Sequence, residues 1–220
     1  MFYPLICALL FNMTYLLKSN NSERSKFPEM LFHQCVGEVW NYFSNFGYLG
    51  GELNYGYYGM SWPVGLPCNN YYLWQGYFAV GAKVAGDYYV TTARYNLREW
   101  YPSDDSPDSI IWGGLSDLTI LVHWDDFLDN PYNQSGRHLG IKCLVRSLSW
   151  NAEPYNDFII YEVGVTYDSS LCDIPGHGEA IDSVFIGFCY DCDVSGADIS
   201  QPNIDDLVDF DGWVNGEWQQ

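Results

Sequence analysis

The sequence predicts an all-β chain with little helix, folded as an antiparallel β-sandwich of the jelly-roll or immunoglobulin-like kind. Aromatic residues make up 18% of the chain and glycine occupies 21 positions, a composition that favours strands and turns. Short apolar segments are separated by Gly and Pro, as expected for two packed antiparallel sheets. No long segment repeats its apolar residues at the helical period.

The first half of the chain supplies a strand, a loop and a hairpin. The segment VGEVWNYFSNFGYLGG, which begins at Val36, is a predicted strand that runs into a Gly-rich turn. Pro63 and Pro67 predict a loop, because proline has no backbone N–H to donate to a sheet. In YYLWQGYFAVGAKVAGDYYVTTARY, two apolar runs flank Ala85-Gly86-Asp87, which predicts a hairpin.

The second half supplies four more predicted strands. Their sequences are LTILVHW, LGIKCLVRSLSW, DFIIYEVGVTY and SVFIGFCYD, and polar loops such as EWYPSDDSPDS and DDFLDNPYNQSGRH precede or connect them. In the second segment the apolar Ile141, Cys143 and Val145 roughly alternate with Lys142 and Arg146, the period of a half-buried strand.

Residues 1–30 are predicted to be a poor signal-like or disordered segment, and residues 31–220 a single β-sandwich domain. The apolar run Phe2 to Leu17 is too short for a comfortable membrane span and has the length of a secretory apolar region. Basic residues follow this run instead of preceding it. The end, DFDGWVNGEWQQ, suggests no closing strand, so we expect a domain cut from a longer chain.

Charge is distributed unevenly along the chain. The formal net charge is −19, and every Lys and Arg lies at or before Arg146. Such a chain repels nucleic acid phosphates, which argues against DNA or RNA binding. It attracts divalent cations and basic partners, although a need for solubility explains the charge equally well.

The acidic stretch CYDCDVSGADISQPNIDDLVDFDG predicts a calcium site. Asp191, Asp193 and Ser195 alternate ahead of Gly196, the spacing of D-x-D-x-[DNS]-G calcium loops. The twelfth position is Pro202 where an EF-hand carries Glu, so the loop is not an EF-hand. We expect calcium to be held by six residues: Asp191, Asp193, Ser195, Asp198, Asp205 and Asp206. The alternative is a solvated acidic loop.

Cys189 and Cys192 have the spacing of a redox pair, but a strand precedes them and acidic residues surround them, which disfavours a reactive thiolate. A zinc site built from Cys172, His177, Cys189 and Cys192 is a looser alternative. We expect a structural disulfide or buried thiols.

Acidic pairs and aromatic residues raise the question of carbohydrate chemistry. The pairs are Asp104-Asp105, Asp125-Asp126 and Asp205-Asp206. Glycoside hydrolysis uses two carboxylates, but neighbours on a strand point to opposite faces, so we interpret these pairs as surface acids.

Aromatic rings either fill the core or, where they face solvent, stack on sugars. They crowd the hairpin and its loops at Trp62, Tyr71, Tyr72, Trp74, Tyr88, Tyr89, Trp100 and Tyr101.

The order of short motifs resembles the N-terminal region of large, mostly uncharacterised secreted proteins of Gram-negative bacteria. These motifs include GEVWNYFSNFGYLG, SWPVG, EWYPSDDS, NDFIIYE and VFIGFCYDCDV, and the resemblance spans residues 36–212. Such proteins often carry fibronectin-type modules and a C-terminal sorting domain for type IX secretion, neither of which this chain contains. The resemblance implies a secreted or cell-surface location and no known activity.

Together these observations predict a non-catalytic extracellular β domain of structural or adhesion type, stabilised by calcium. The alternative is a carbohydrate-binding or glycoside-active module, and the sequence favours a non-enzyme without deciding the matter. Expected partners are other domains of the same longer chain or surface glycans, with no nucleic acid and no membrane span.

Overall fold

The computed structural model describes residues 27–50, 59–64, 72–73, 75–93, 99–104, 106–128 and 135–192, and the backbone of two short strands near the end of the chain. Every regular element in these ranges is a β-strand, which confirms the all-β prediction. Within them there is no helix long and apolar enough to cross a membrane. The predicted boundary near residue 30 stays a prediction.

The first sheet has six antiparallel strands in the order β1-β2-β3-β4-β11, with β5 also paired to β4. Their bounds are β1 Leu31–Gln34, β2 Asn41–Ser44, β3 Tyr48–Leu49, β4 Gln75–Val84, β5 Asp87–Thr92 and β11 Asp182–Asp191. The predicted β4–β5 hairpin is confirmed. Ala85 and Gly86 form its two-residue turn with φ angles of 51° and 99°, the positive values that such turns require.

The second sheet has five antiparallel strands in the order β10-β9-β8-β6, with β7 also paired to β8. Their bounds are β6 Tyr101–Pro102, β7 Ser109–Trp112, β8 Leu118–Asp125, β9 Ile141–Ser149 and β10 Ile160–Tyr167. The last two strands, β12 Gly212–Val214 and β13 Glu217–Gln219, pair with each other. The expectation that no strand follows the acidic stretch is therefore wrong.

The core lies between the two large sheets. In β4 the inward residues Phe78 and Val80 are fully buried, and the ring of Phe78 lies 6.0 Å from that of Trp124 on the opposite sheet. A buried polar bridge also joins the sheets: Gln34 Nε2 on β1 donates to Leu118 O at 3.0 Å and to Ser149 Oγ at 2.7 Å. These two packed antiparallel sheets fit the predicted β-sandwich. Its jelly-roll or immunoglobulin-like subtype stays a prediction.

Candidate ligand-binding pocket

A pocket of about 410 Å³ opens where the start of β2 faces the start of β10. This volume falls in the range of small-molecule sites. Its lining is mostly apolar and aromatic, with a few polar groups: Val39, Asn41, Met60, Trp62, Tyr72, Asp157, Phe158, Ile159 and Tyr161. The two large sheets each contribute one wall, and the segment 59–62 with Tyr72 contributes a third.

Backbone hydrogen bonds hold the third wall in place. Trp40 and Ser61 exchange N–H···O bonds of 3.0 and 2.9 Å, which attach the segment 59–64 to the entrance of β2. Tyr72 N donates to Met60 O at 2.7 Å, which holds Tyr72 against the same segment. Trp62, which follows Ser61 in this segment, keeps 47% of its surface exposed.

Gly37 allows the loop 150–159 to close the pocket. Its φ is +85°, and a Cβ on this residue would lie 2.5 Å from Asn156 O and 2.6 Å from Trp150 O. The close approach lets Glu38 N donate to Asn156 O. Within the loop, the rings of Trp150, Tyr155 and Phe158 have centroids 6.1–6.2 Å apart. This ring cluster presents Phe158 to the pocket.

The polar part of the pocket is centred on Asn41. Its side chain is buried, Nδ2 lies 3.0 Å from Tyr161 Oη, and Oδ1 has no hydrogen-bond partner among the described residues. Burial raises the pKa of Tyr161, so its hydroxyl stays protonated. An unpaired amide oxygen in a buried position costs roughly 1–3 kcal/mol.

The structure divides the predicted aromatic set. Trp62 and Tyr72 line the pocket, whereas Trp100 is fully buried, donates from Nε1 to Phe78 O at 3.0 Å and packs on the Phe78 ring. Tyr88 is exposed on β5, and Tyr89 packs partly against the core. Tyr71 and Trp74 lie outside the described residues, and Tyr101 is half-buried on β6. Core packing is therefore confirmed for Trp100. Sugar stacking by the solvent-facing rings stays a prediction.

The predicted calcium ligands fall mostly outside the described residues. Asp191 is the last residue of β11, is exposed and pairs with Gln75. Asp193, Ser195, Asp198, Asp205 and Asp206 all lie outside the described residues. Calcium binding thus stays a prediction.

The cysteine predictions need correction. Cys189 and Cys192 are exposed at the end of β11, so the expectation of buried thiols at this pair is wrong. Among the described residues, no three His, Cys, Asp or Glu side chains gather closely enough to hold a metal ion. The zinc alternative built on Cys172 and His177 required such a gathering.

The interpretation of Asp125-Asp126 as surface acids is also wrong. Both are buried at the end of β8. Asp126 accepts hydrogen bonds from Leu139 N, Ile141 N and Thr91 Oγ1 at 2.8–2.9 Å. Burial raises the pKa of Asp125 to about 7. This pair joins β5, β8 and β9.

A second carboxylate anchors the loop before β9. Asp173 Oδ1 accepts from His138 N, and Oδ2 accepts from Gly136 N, each at 2.8 Å. His138 Nδ1 lies 2.6 Å from Asp173 Oδ2. Partial burial works against ionisation, but these hydrogen bonds hold the pKa of Asp173 below its usual value. The contacts fix the loop, so we assign Asp173 a structural role.

Sequence reasoning missed Asn41, Asp157 and Phe158 as pocket residues. Asn41 lies within the predicted strand segment that begins at Val36, and the structure places it at a buried position of β2. A polar residue on the same strand face as Phe43 is the signal that could have found it. Phe158 and Asp157 belonged to a predicted strand beginning at residue 157. The structure starts β10 at Ile160, which frees both residues for the pocket.

Comparison of the chain with known protein families, curated proteins and solved structures found no match.

Proposed function

We propose that the chain is a non-catalytic binding domain of a secreted or cell-surface protein, and that its pocket holds a small neutral carbohydrate. The observation that carries the proposal is the pairing, in one pocket, of exposed aromatic rings with a buried amide whose oxygen has no partner. Sugars present apolar C–H faces that pack on aromatic rings, and hydroxyls that pair with amide and carboxylate oxygens. The secreted location rests on the sequence resemblance alone.

The number of carboxylates in the pocket favours carbohydrate binding over hydrolysis. Asp157 is the one carboxylate among the described residues that line the pocket. Glycoside hydrolysis generally uses two carboxyl groups about 5–10 Å apart. A single exposed carboxylate beside Asn41 suits the recognition of neighbouring hydroxyls.

The proposal also keeps the adhesion role and the calcium site that the sequence predicts. Calcium in the acidic stretch would stabilise the domain outside the cell, where the ion is abundant. The predicted calcium ligands and the residues that line the pocket are different sets, so sugar binding and calcium binding can be tested separately.

The test is a screen of neutral mono- and disaccharides by saturation-transfer NMR, followed by calorimetry on any binder. Trp62→Ala should weaken binding at least about tenfold, because hot-spot aromatics dominate such sites. The matched control is Trp112→Ala on β7, where the ring is 53% exposed, close to the 47% of Trp62, and outside the pocket. Equal loss in both variants, or no saccharide bound by the wild type, would contradict the proposal.

A further inference from the structure

The outer strand β11 has an apolar inner face that the opposite sheet leaves uncovered. In the described part of the chain, β11 pairs with β4 alone, so its other backbone edge has no partner strand there. Its register places Ile186 opposite Val80 and Phe188 opposite Phe78. Residues directly opposite in an antiparallel pair share one face, so Ile186 and Phe188 face the core side.

Burial on that face drops sharply from β4 to β11. Val80 is 0% exposed, whereas Ile186 is 55% and Tyr190 57% exposed. Phe188 alone is drawn inward, with its ring 5.0 Å from that of Phe78. On the outer face, Phe185 is also exposed. Both faces of β11 therefore carry apolar surface in contact with water.

The second sheet ends in a similar way. Its last strand, β10, pairs with β9 alone in the described part of the chain. The inward residues Val163 and Val165 are half-buried, although their partners Val145 and Cys143 are buried. In the described part of the chain, each large sheet thus ends in a strand with one unpaired backbone edge.

Carboxylates lie at the two ends of β11. Asp182 begins the strand, Asp191 ends it, and the whole chain after Arg146 contains no Lys or Arg. On β10 the carboxylate of Glu162 already pairs with Arg146. Asp182 lies opposite Lys83 of β4, whereas Asp191 lies opposite the neutral Gln75, so the negative charge of this edge is concentrated at its Asp191 end.

We propose that the β11 edge binds an extended segment of a partner protein by strand addition, and that this segment has alternating apolar residues flanked by lysine or arginine. Strand addition gives hydrogen-bond partners to the unpaired N–H and C=O groups of the β11 edge, and the apolar side chains of the added segment cover Ile186 and Tyr190. Basic flanks match Asp191 and the net charge of −19 of the chain.

A second copy of this chain fits the edge poorly. Antiparallel self-pairing of β11 would bring Asp182 of one copy near Asp191 of the other, and like charges across a strand pair are destabilising. Each copy also carries a net charge of −19. Charge therefore selects a basic partner.

The probe is a fluorescent peptide, KKVTVTVTVKK, titrated with the full chain and followed by anisotropy. We expect saturable binding that weakens several-fold at about 0.5 M NaCl, because exposed charges are screened there. The same peptide with alternate backbone nitrogens methylated should not bind, because it cannot form the strand hydrogen bonds. The acid-flanked peptide EEVTVTVTVEE should not bind either.

Two matched variants locate the site. Ile186→Glu should weaken peptide binding about tenfold or more, and Leu115→Glu, at another exposed apolar position on the β7–β8 loop, should leave it unchanged. Retained binding in Ile186→Glu, or equal binding of the methylated or acidic peptide, overturns the proposal. A wild-type dimer that Ile186→Glu converts to monomer assigns the edge to a second copy and also overturns it.

Discussion

Strands β4 and β11 are hydrogen-bonded neighbours of ten residues each, and both are rich in apolar residues, yet they differ completely in burial. β4 alternates between buried and half-buried positions, whereas β11 is exposed along nearly its whole length. Both strands present inward-facing apolar residues, but only β4 has the second sheet over it. An apolar pattern therefore marks which face can be buried, and the neighbouring layer decides whether it is.

The most direct test of this difference in burial is to introduce the same charged residue on each strand. Val80→Asp places a carboxylate in the closed core and should lower the free energy of unfolding by about 4 kcal/mol or more, because no cation lies there to pair with it. Ile186→Asp, at the directly opposite position, should cost about 1 kcal/mol or less. Urea denaturation of both variants measures the difference. Equal losses would mean that β11 is buried in solution.

A second test compares a carboxylate in the closed region with one at the open edge. Asp126→Ala leaves the N–H groups of Leu139 and Ile141 buried without their acceptor and should cost about 3 kcal/mol. Asp182→Ala on β11 should change stability by less than about 0.5 kcal/mol. Chemical denaturation checks both values. A small effect at Asp126 would show that these N–H groups find water instead.

Calcium should raise the stability of the fold by binding at the Asp191 end of β11. At a free calcium concentration about 100 times the dissociation constant, binding would stabilise the fold by about 2.7 kcal/mol, a rise of several degrees in Tm. Chelator, or Asp191→Ala together with Asp193→Ala, should abolish the rise. Matched sodium chloride is the control. An equal shift with sodium would mean that the acidic stretch is only a solvated surface.

The smallest expected effect is a pH dependence from Asp125 at the buried end of β8. Burial raises its pKa to about 7 in the folded chain, above the value of about 4 for an unfolded aspartate. The folded state therefore holds this proton more tightly. Its contribution to stability is fully present below about pH 4 and is lost progressively as pH rises to about 7.

Between about pH 6 and pH 8, this residue should lower the free energy of unfolding by about 1 kcal/mol. Asp125→Asn removes the titrating group and should flatten the profile by that amount. Thermal melts across this range provide the measurement. An unaltered slope in Asp125→Asn would assign the titration to another group.

Local patterns predicted most strands and the β4–β5 turn. Alternation identified β9 because this strand lies in a sheet with one face on the core, and Gly86 marked the turn because a two-residue hairpin needs positive φ there. The start of β10 was placed too early, at residue 157. The run Phe158–Ile160 is apolar, but the loop packs its rings on Trp150 instead of extending the strand.

The pocket was only partly predictable. Trp62 and Tyr72 were in the predicted aromatic set, but so was Trp100, which fills the core. Nothing local separates these rings, because burial depends on which distant segment covers each one. Asp125 and Asp126 show the same limit: strand alternation argued that they point apart, yet surrounding loops cover both.

The sequence by itself determined the fold class, the turn chemistry and the uneven charge, since these depend on residue type and short-range spacing. Only the tertiary structure decided which apolar residues are covered, which acids are buried, and that Asn41 and Phe158, more than a hundred residues apart, line one pocket with Trp62. The physical reason is that backbone preference is local, whereas burial is a property of two surfaces brought together by the rest of the fold.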